Sequence, residues 1–96
     1  MSYDIRIAEE TFNITYNVAP MFYKYNKEGV RCIYGKTGAQ AATLLLDMYS
    51  YFIESKEELE KMNPENGWGS WKNTTNCIHK MMMTSLDNPK DIWEGD

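Results

Sequence analysis

Aromatic and amide side chains are the residues of this 96-residue chain whose chemistry best suits the binding of another molecule. Aromatic rings stack on nucleobases, and an asparagine amide offers a donor and an acceptor that match a base edge. The segment Asn66-Gly67-Trp68-Gly69 is the clearest example, because flanking glycines let the backbone approach a ligand closely. The alternative is that Trp68 turns inward to fill the helical layer and that the asparagines cap turns. The wider aromatic and amide set comprises Asn13, Tyr16, Asn17, Tyr23, Tyr25, Tyr34, Asn63, Asn66, Trp68 and Trp71.

The segment Gly35-Lys36-Thr37-Gly38 ends like a nucleotide-phosphate loop but does not complete the motif. That motif requires a glycine five residues before Gly35, where this chain has Val30. Two interpretations remain open. Either the segment is a turn in which Thr37 caps the next helix, or its N–H groups and Lys36 hold an anion at the helix start.

Residue types that support catalysis are too sparse to form a catalytic site. His79 is the only histidine, and a catalytic triad, a metal centre or a histidine-activated thiol needs more partners. Cys32 and Cys77 are expected to be small buried apolar residues, the commonest fate of free cysteine. The carboxylates of residues 54–60 lack the apolar surroundings that separate the pKa values of an acid–base pair, so we expect a solvated face. We therefore predict a non-enzymatic protein with no catalytic residue, metal site or cofactor.

The run Met81-Met82-Met83 lies in a predicted helix, where only some of its members share a face. One of the three is therefore expected at the surface. Methionine adapts readily to irregular contacts. The run is compatible either with simple exposure of one methionine or with contact with a partner protein or a second copy of the chain.

The acidic charge balance limits the classes of partner. The net charge is -4, and the lysines and arginines are scattered singly, so the chain lacks the basic stripe that binding to duplex nucleic acid requires. No apolar run approaches the ~20 residues of a membrane span. The first residues carry no apolar run of the kind found in a signal peptide. A cytoplasmic protein is the expectation.

Alternating apolar residues predict strands at the beginning of the chain. Residues 3–8 and 11–16 each place apolar side chains on one face, with Glu9-Glu10 between them as a turn, so a hairpin is expected. Tyr3, Ile5 and Ile7 are expected inward from the first strand. Phe12, Ile14 and Tyr16 are expected inward from the second. Residues 91–94 predict a third strand beside the hairpin.

Helical spacing predicts two main helices and shorter ones. Residues 39–55 are apolar around most of the circumference, which predicts a largely buried helix. Residues 71–86 carry an amphipathic stripe of Trp71, Ile78, Met82 and Leu86, with Ser70 as the cap. Pro20 opens a short helix, and Ser55 has the spacing of a capping box for another that reaches Met62. Residues 30–34 are compatible with a helical turn or a short strand.

These elements predict a single α+β domain over residues 1–96. A small antiparallel sheet, made of the hairpin and the third strand, packs on a layer of two main helices and shorter ones. Residues 63–69 form a loop, because proline and two glycines interrupt regular structure.

Several motifs recur in an order that resembles a family of short proteins of unassigned function encoded by tailed phages and prophages. They are Asn13-Ile14-Thr15-Tyr16-Asn17, the Gly35 to Gly38 turn, Asn63-Pro64-Glu65-Asn66-Gly67-Trp68-Gly69 and Trp93-Glu94-Gly95-Asp96. The resemblance covers nearly the whole chain, and the loop around Trp68 is its most specific part. The family has no settled activity, so it supplies no catalytic residues.

The resemblance implies a counter-defence role inside the host cell. In one version the protein is a homo-oligomer that sequesters a host immune nucleotide. Tyr16 and Trp68 would stack on a base, Asn17 and Asn66 would read its edge, and Lys36 with Thr37 would meet a phosphate; Trp71 completes the proposed set. In a second version the acidic surface blocks a host defence protein such as a CRISPR effector. A small structural phage protein is the third.

Overall fold

A computed structural model describes all of residues 1–96 and shows a small α+β fold. Strands β1 (Ser2–Ile7) and β2 (Glu10–Thr15) form the predicted hairpin, with Ser2 paired to Thr15 and Ile7 to Glu10. The short strand β3 (Glu94–Gly95) pairs with the other edge of β1. The sheet order is therefore β2-β1-β3, and all pairs are antiparallel.

Four helices follow the hairpin. They are α1 (Ala19–Tyr25), α2 (Gly38–Glu54), α3 (Lys56–Glu60) and α4 (Trp71–Asp87). The open alternative at residues 30–34 resolves as a 3₁₀ helix, Gly29–Ile33, and a second 3₁₀ turn, Tyr16–Val18, follows β2. None of the helices combines the length and the apolar character of a bilayer span.

The two 17-residue helices α2 and α4 run antiparallel and form most of the helical layer. At one end, the backbone of Gly38 lies so close to α4 that a Cβ atom there would overlap the carbonyl oxygens of Ser85 and Asn88. At the other end, the indole N–H of Trp71 donates to the carbonyl oxygen of Phe52 (2.9 Å). These two contacts fix the register of the helix pair.

Local capping explains where the main helices begin. Thr37 Oγ1 accepts from Gln40 N (3.2 Å), and Gln40 Oε1 accepts from Thr37 N (3.0 Å), so α2 starts with a complete capping box. Ser70 Oγ accepts from Asn73 N (3.1 Å) and caps α4 as predicted. The capping box predicted at Ser55 is wrong, because its side chain makes no capping bond.

The core lies between the sheet and the helical layer, with Ile5, Ile7, Phe22, Phe52 and Trp93 fully enclosed. The inward prediction for β1 is confirmed.

Three predictions of burial were wrong. Tyr16 lies at the surface because the chain leaves the strand after Thr15 and turns. Ile53, in the helix predicted to be largely buried, and Leu86, in the predicted apolar stripe of the last helix, are also exposed. The helices pack through narrower stripes than the sequence indicates, so both residues fall outside the contact between α2 and α4.

Candidate functional site

A cleft opens where the hairpin meets the loop between α3 and α4. Its volume is about 420 Å³. It lies at the end of the sheet where β1 begins and β2 ends. The residues that line it are Met1, Ser2, Asn13, Thr15, Asn17 and Trp68. Two of the residues selected from the sequence, Asn17 and Trp68, therefore meet in one concave site.

The indole of Trp68 is the most prominent feature of the cleft. The side chain is 71% exposed, and its ring N–H donates to no atom of the chain. The backbone N–H of Trp68 donates to Asn66 Oδ1 (2.9 Å). The side chain of Asn66 therefore shapes the turn that presents the indole and does not line the cleft itself.

The loop that carries Trp68 is fixed against the end of β2. Gly67 and Gly69 both have positive φ angles, +77° and +93°, which glycine adopts without the steric cost that other residues pay. A Cβ atom on Gly69 would stand 2.8 Å from Thr15 Cγ2 and 2.9 Å from Val18 Cγ1. The close approach holds the exposed indole beside the strand.

Two asparagine amides border the cleft, and each has an oxygen that no donor of the chain reaches. Asn13 Nδ2 donates to Ser2 Oγ (2.8 Å) and to Asp4 Oδ1 (2.7 Å). Asn17 Nδ2 lies 3.5 Å from the carbonyl oxygen of Trp68, at the limit of a hydrogen bond. The free Oδ1 atoms of Asn13 and Asn17 are acceptors for a ligand that carries N–H or O–H groups.

The electrostatics of the cleft favour an uncharged ligand surface. No lysine or arginine lines it. The lining residue Asn13 donates to the carboxylate of Asp4 (2.7 Å). An anionic group placed here would meet no lysine or arginine side chain. The cleft suits a planar polar ring better than a phosphate.

The structure does not bring Lys36 and Thr37 to this cleft. Thr37 pairs with Ile92, and the carbonyl oxygen of Lys36 accepts from Trp93 N (2.9 Å). Both residues therefore lie on the β3 side of the sheet, while Trp68 lies beside β2 at the other edge. Thr37 Oγ1 is occupied by the helix cap, so the turn-and-cap interpretation describes this segment.

Tyr16 and Trp71 also lie outside the cleft. The ring of Tyr16 packs edge-on against Tyr3, with ring centroids 4.6 Å apart. Trp71 is buried in the core, and its N–H is satisfied by Phe52. Trp71 stands one helical position after the cap, where it faces α2. The prediction that Trp71 binds a ligand is therefore corrected, because its ring is part of the core.

Sequence reasoning missed three lining residues, Met1, Ser2 and Thr15. The alternation of the strands could have indicated two of them, Ser2 and Thr15. In a strand with alternating burial, the residues between the inward ones share the outward face. Ser2 and Thr15 are such positions and are paired across β1 and β2.

Neither cysteine thiol is activated as a nucleophile. Burial raises the pKa of Cys32 to about 11, with a smaller contribution from the carboxylate of Glu28. Burial also raises the pKa of Cys77, against the opposing effect of Lys80. Both thiols are therefore protonated near neutral pH, and a protonated thiol is a poor nucleophile. His, Cys, Asp and Glu side chains form no group of three that could hold a metal ion.

Comparison with known proteins adds no relative. Searches against protein-family models, curated proteins and solved structures found no match to this chain. Evidence for a function therefore comes from the cleft itself.

Proposed function

We propose that the chain is a non-enzymatic binding protein that holds the planar base of a nucleotide-like small molecule in the cleft beside Trp68. The observation that carries the proposal is an indole exposed without a partner and bordered by two amides with free acceptor atoms. Stacking of a base on an aromatic side chain contributes about 1–3 kcal/mol. The free amide oxygens of Asn13 and Asn17 would accept from the exocyclic amino group of the base.

The dimensions and charge of the cleft define the ligand class. A volume of about 420 Å³ lies within the usual ~300–1,000 Å³ of small-molecule sites. It has room for a base and a sugar. Because no lysine or arginine side chain lines the cleft, the phosphates of a nucleotide would remain in water. Recognition would then depend on the base, and the phosphate number would have little effect on affinity.

The biological role that we propose is counter-defence by a phage-type protein in the cytoplasm of the host. Binding without catalysis would sequester a host immune nucleotide signal. The resemblance of the Asn-Pro-Glu-Asn-Gly-Trp-Gly loop to short phage proteins supports this role. That loop is also the segment that forms one wall of the cleft.

A thermal-melt panel tests the proposal. We expect cyclic dinucleotides or cyclic ADP-ribose isomers at micromolar concentration to raise the melting temperature by several degrees, because a ligand that binds only the folded state stabilises it. The matched nucleosides should bind with similar affinity. Trp68→Ala should weaken binding by about 1–3 kcal/mol, roughly 5- to 150-fold.

The control variant is Tyr23→Ala, which removes an exposed aromatic side chain outside the cleft. It should leave ligand affinity unchanged. A panel without any stabilising nucleotide, or equal weakening by the two variants, would contradict the proposal.

An acidic inhibitor of a host defence protein is the alternative that the same resemblance suggests. Exposed carboxylates along the end of α2 and α3 support it, namely Glu54, Glu57, Glu58 and Glu60. Lys56 and Lys61 interrupt this surface, and Glu58 pairs with Lys24 (3.3 Å). The field is therefore weaker than that of a nucleic-acid mimic. Co-purification with one host protein, without any nucleotide response, would favour this alternative over the cleft. A structural role in the phage particle predicts neither result.

A further inference from the structure

The outer surface of the two main helices carries a stripe of mostly apolar side chains on each helix, and no element of the chain covers them. On α2 the stripe comprises Leu46, Tyr49 and Ile53; on α4 it comprises His79, Met83 and Leu86. Four of these six, Leu46, Ile53, Met83 and Leu86, are exposed large apolar residues. We call these six residues the α2–α4 face.

Helical geometry places the six residues in two adjoining stripes. The spacings are three and four residues on α2, and four and three on α4, so each set shares one side of its helix. The rings of Tyr49 and His79 lie 5.5 Å apart and join the two stripes.

The dimensions of this face suit a small dimer interface. Each helix has 17 residues and is therefore about 25 Å long. Two packed helices span about 20 Å across. The resulting outline of about 500 Å² is below the ~800 Å² that each partner contributes to a standard stable interface, so the interface would be a small one.

The charges beside the face suit a second copy of the same chain. Asp47 and Glu54 lie on the side of α2 away from α4, where Asp47 accepts from Tyr25 of α1 (2.7 Å). On α4, Lys72 precedes His79 by seven residues, and Lys80 follows it directly. None of these four charges has an ion partner within the chain.

The register of the helix pair makes these charges self-complementary. Because Phe52 lies against Trp71 and Tyr49 against His79, Glu54 is level with Lys72, and Asp47 is level with Lys80. A two-fold axis parallel to the helices would place α2 over α4 of the second copy at the same level. Each acidic side chain would then meet a lysine of the other copy.

We propose that the α2–α4 face is a homodimer interface in which four antiparallel helices form a bundle. Glu54 pairs with Lys72 of the second copy, and Asp47 pairs with Lys80. Antiparallel neighbours at small crossing angles are the usual geometry of such a bundle. The inference is independent of the cleft beside Trp68, which lies at the edge of the sheet.

Sedimentation equilibrium of the purified chain tests the interface. We expect a mass twice the 11.2 kDa of one chain. Leu46→Glu should raise the dissociation constant by about 100-fold, because two symmetry-related carboxylates would be buried without partners. Ile92→Glu is the matched control, since both residues are 53% exposed and Ile92 lies outside the face. Circular dichroism verifies that both variants are folded.

A charge exchange tests the register. Glu54→Lys and Lys72→Glu should each raise the dissociation constant by roughly tenfold, and the double variant should restore it. A wild-type chain that stays monomeric at high micromolar concentration overturns the proposal and would leave the face to a different protein. A dimer that tolerates Leu46→Glu, or a double variant without restored affinity, also overturns it.

Discussion

Trp68 and Trp93 place the same side chain in opposite surroundings at the two edges of one small sheet. Each stands close to a glycine, Gly67 and Gly69 beside the first and Gly95 near the second. Trp93 is completely enclosed, and its N–H donates to Ser85 Oγ (2.7 Å). Trp68 is mostly exposed, and its indole N–H has no partner in the chain. Neither the residue type nor a neighbouring glycine decides whether an indole is buried or exposed.

Backbone pairing accounts for the difference. The N–H of Trp93 donates to Lys36 O, and its carbonyl oxygen accepts from Gly35 N, both at 2.9 Å. These bonds place the residue within the sheet layer, where its ring packs against Phe12 at 5.8 Å between centroids. The backbone N–H of Trp68 is satisfied within its own turn by the side chain of Asn66. An indole with its backbone satisfied locally remains free to face the solvent or a ligand.

The largest effect is expected when the enclosed indole is removed. Trp93→Ala should lower the free energy of unfolding by about 3–5 kcal/mol, since it empties a core site and leaves the buried hydroxyl of Ser85 without its donor. Urea denaturation at 25 °C measures the change. Trp93→Phe should cost clearly less because it retains a ring. A loss below ~1 kcal/mol for Trp93→Ala would remove the contrast with Trp68.

The glycine after Trp68 should be more sensitive than the glycine before it. Gly69→Ala should cost about 2 kcal/mol, because its positive φ angle strains alanine and its Cβ would press on Thr15 and Val18. Gly67→Ala should cost about 1 kcal/mol, since its φ is positive but no atom lies within 4 Å of the added carbon. Equal costs for the two variants would show that the loop is not held against β2.

Alkaline pH should lower the free energy of unfolding through two buried groups, the Cys32 thiol and the Tyr3 hydroxyl. Burial raises the pKa of Cys32 to about 11 and that of Tyr3 to about 12, the latter also through Tyr23. Because the folded state keeps both groups protonated, their contribution is fully present below the ordinary thiol value of 9.0 and is lost as pH rises through the raised values. The free energy of unfolding should be similar at pH 7 and pH 9 and should be lower at pH 10.5.

The contribution of the thiol can be isolated in Cys32→Ala. This variant should show a shallower decline between pH 9 and pH 10.5 than the wild-type chain, by roughly 1–2 kcal/mol. Parallel declines in the two proteins would mean that Cys32 titrates in its ordinary range.

Local features of the fold were predictable from the sequence because they depend on neighbouring residues. The alternation of Tyr3, Ile5 and Ile7 predicted β1 and its buried face, and Thr37 and Ser70 predicted the starts of the main helices. Each of these features involves contacts within a few residues. The helix boundaries that follow are correct to within about two residues.

The composition of the cleft depended on contacts between distant segments and was predicted only in part. Asn17 and Trp68, separated by 51 residues, do lie together. Lys36 does not join them, because β3 pairs with β1 and holds the Lys36 segment at the opposite edge from β2. The sequence contains no local signal for that strand order. Trp71 was misplaced for a related reason, since its direction depends on how α4 packs against α2.

The smallest effect on stability should come from the residue that we propose as the ligand platform. Trp68→Ala should change the free energy of unfolding by less than about 0.5 kcal/mol, because the indole contributes no hydrogen bond and little buried surface. Fluorescence adds an independent measurement. The exposed indole should supply the emission that iodide quenches, and the variant should lose that component while Trp71 and Trp93 remain shielded. If Trp68→Ala instead unfolds the chain as Trp93→Ala does, the two tryptophans have the same structural role, and the cleft loses its proposed ligand platform.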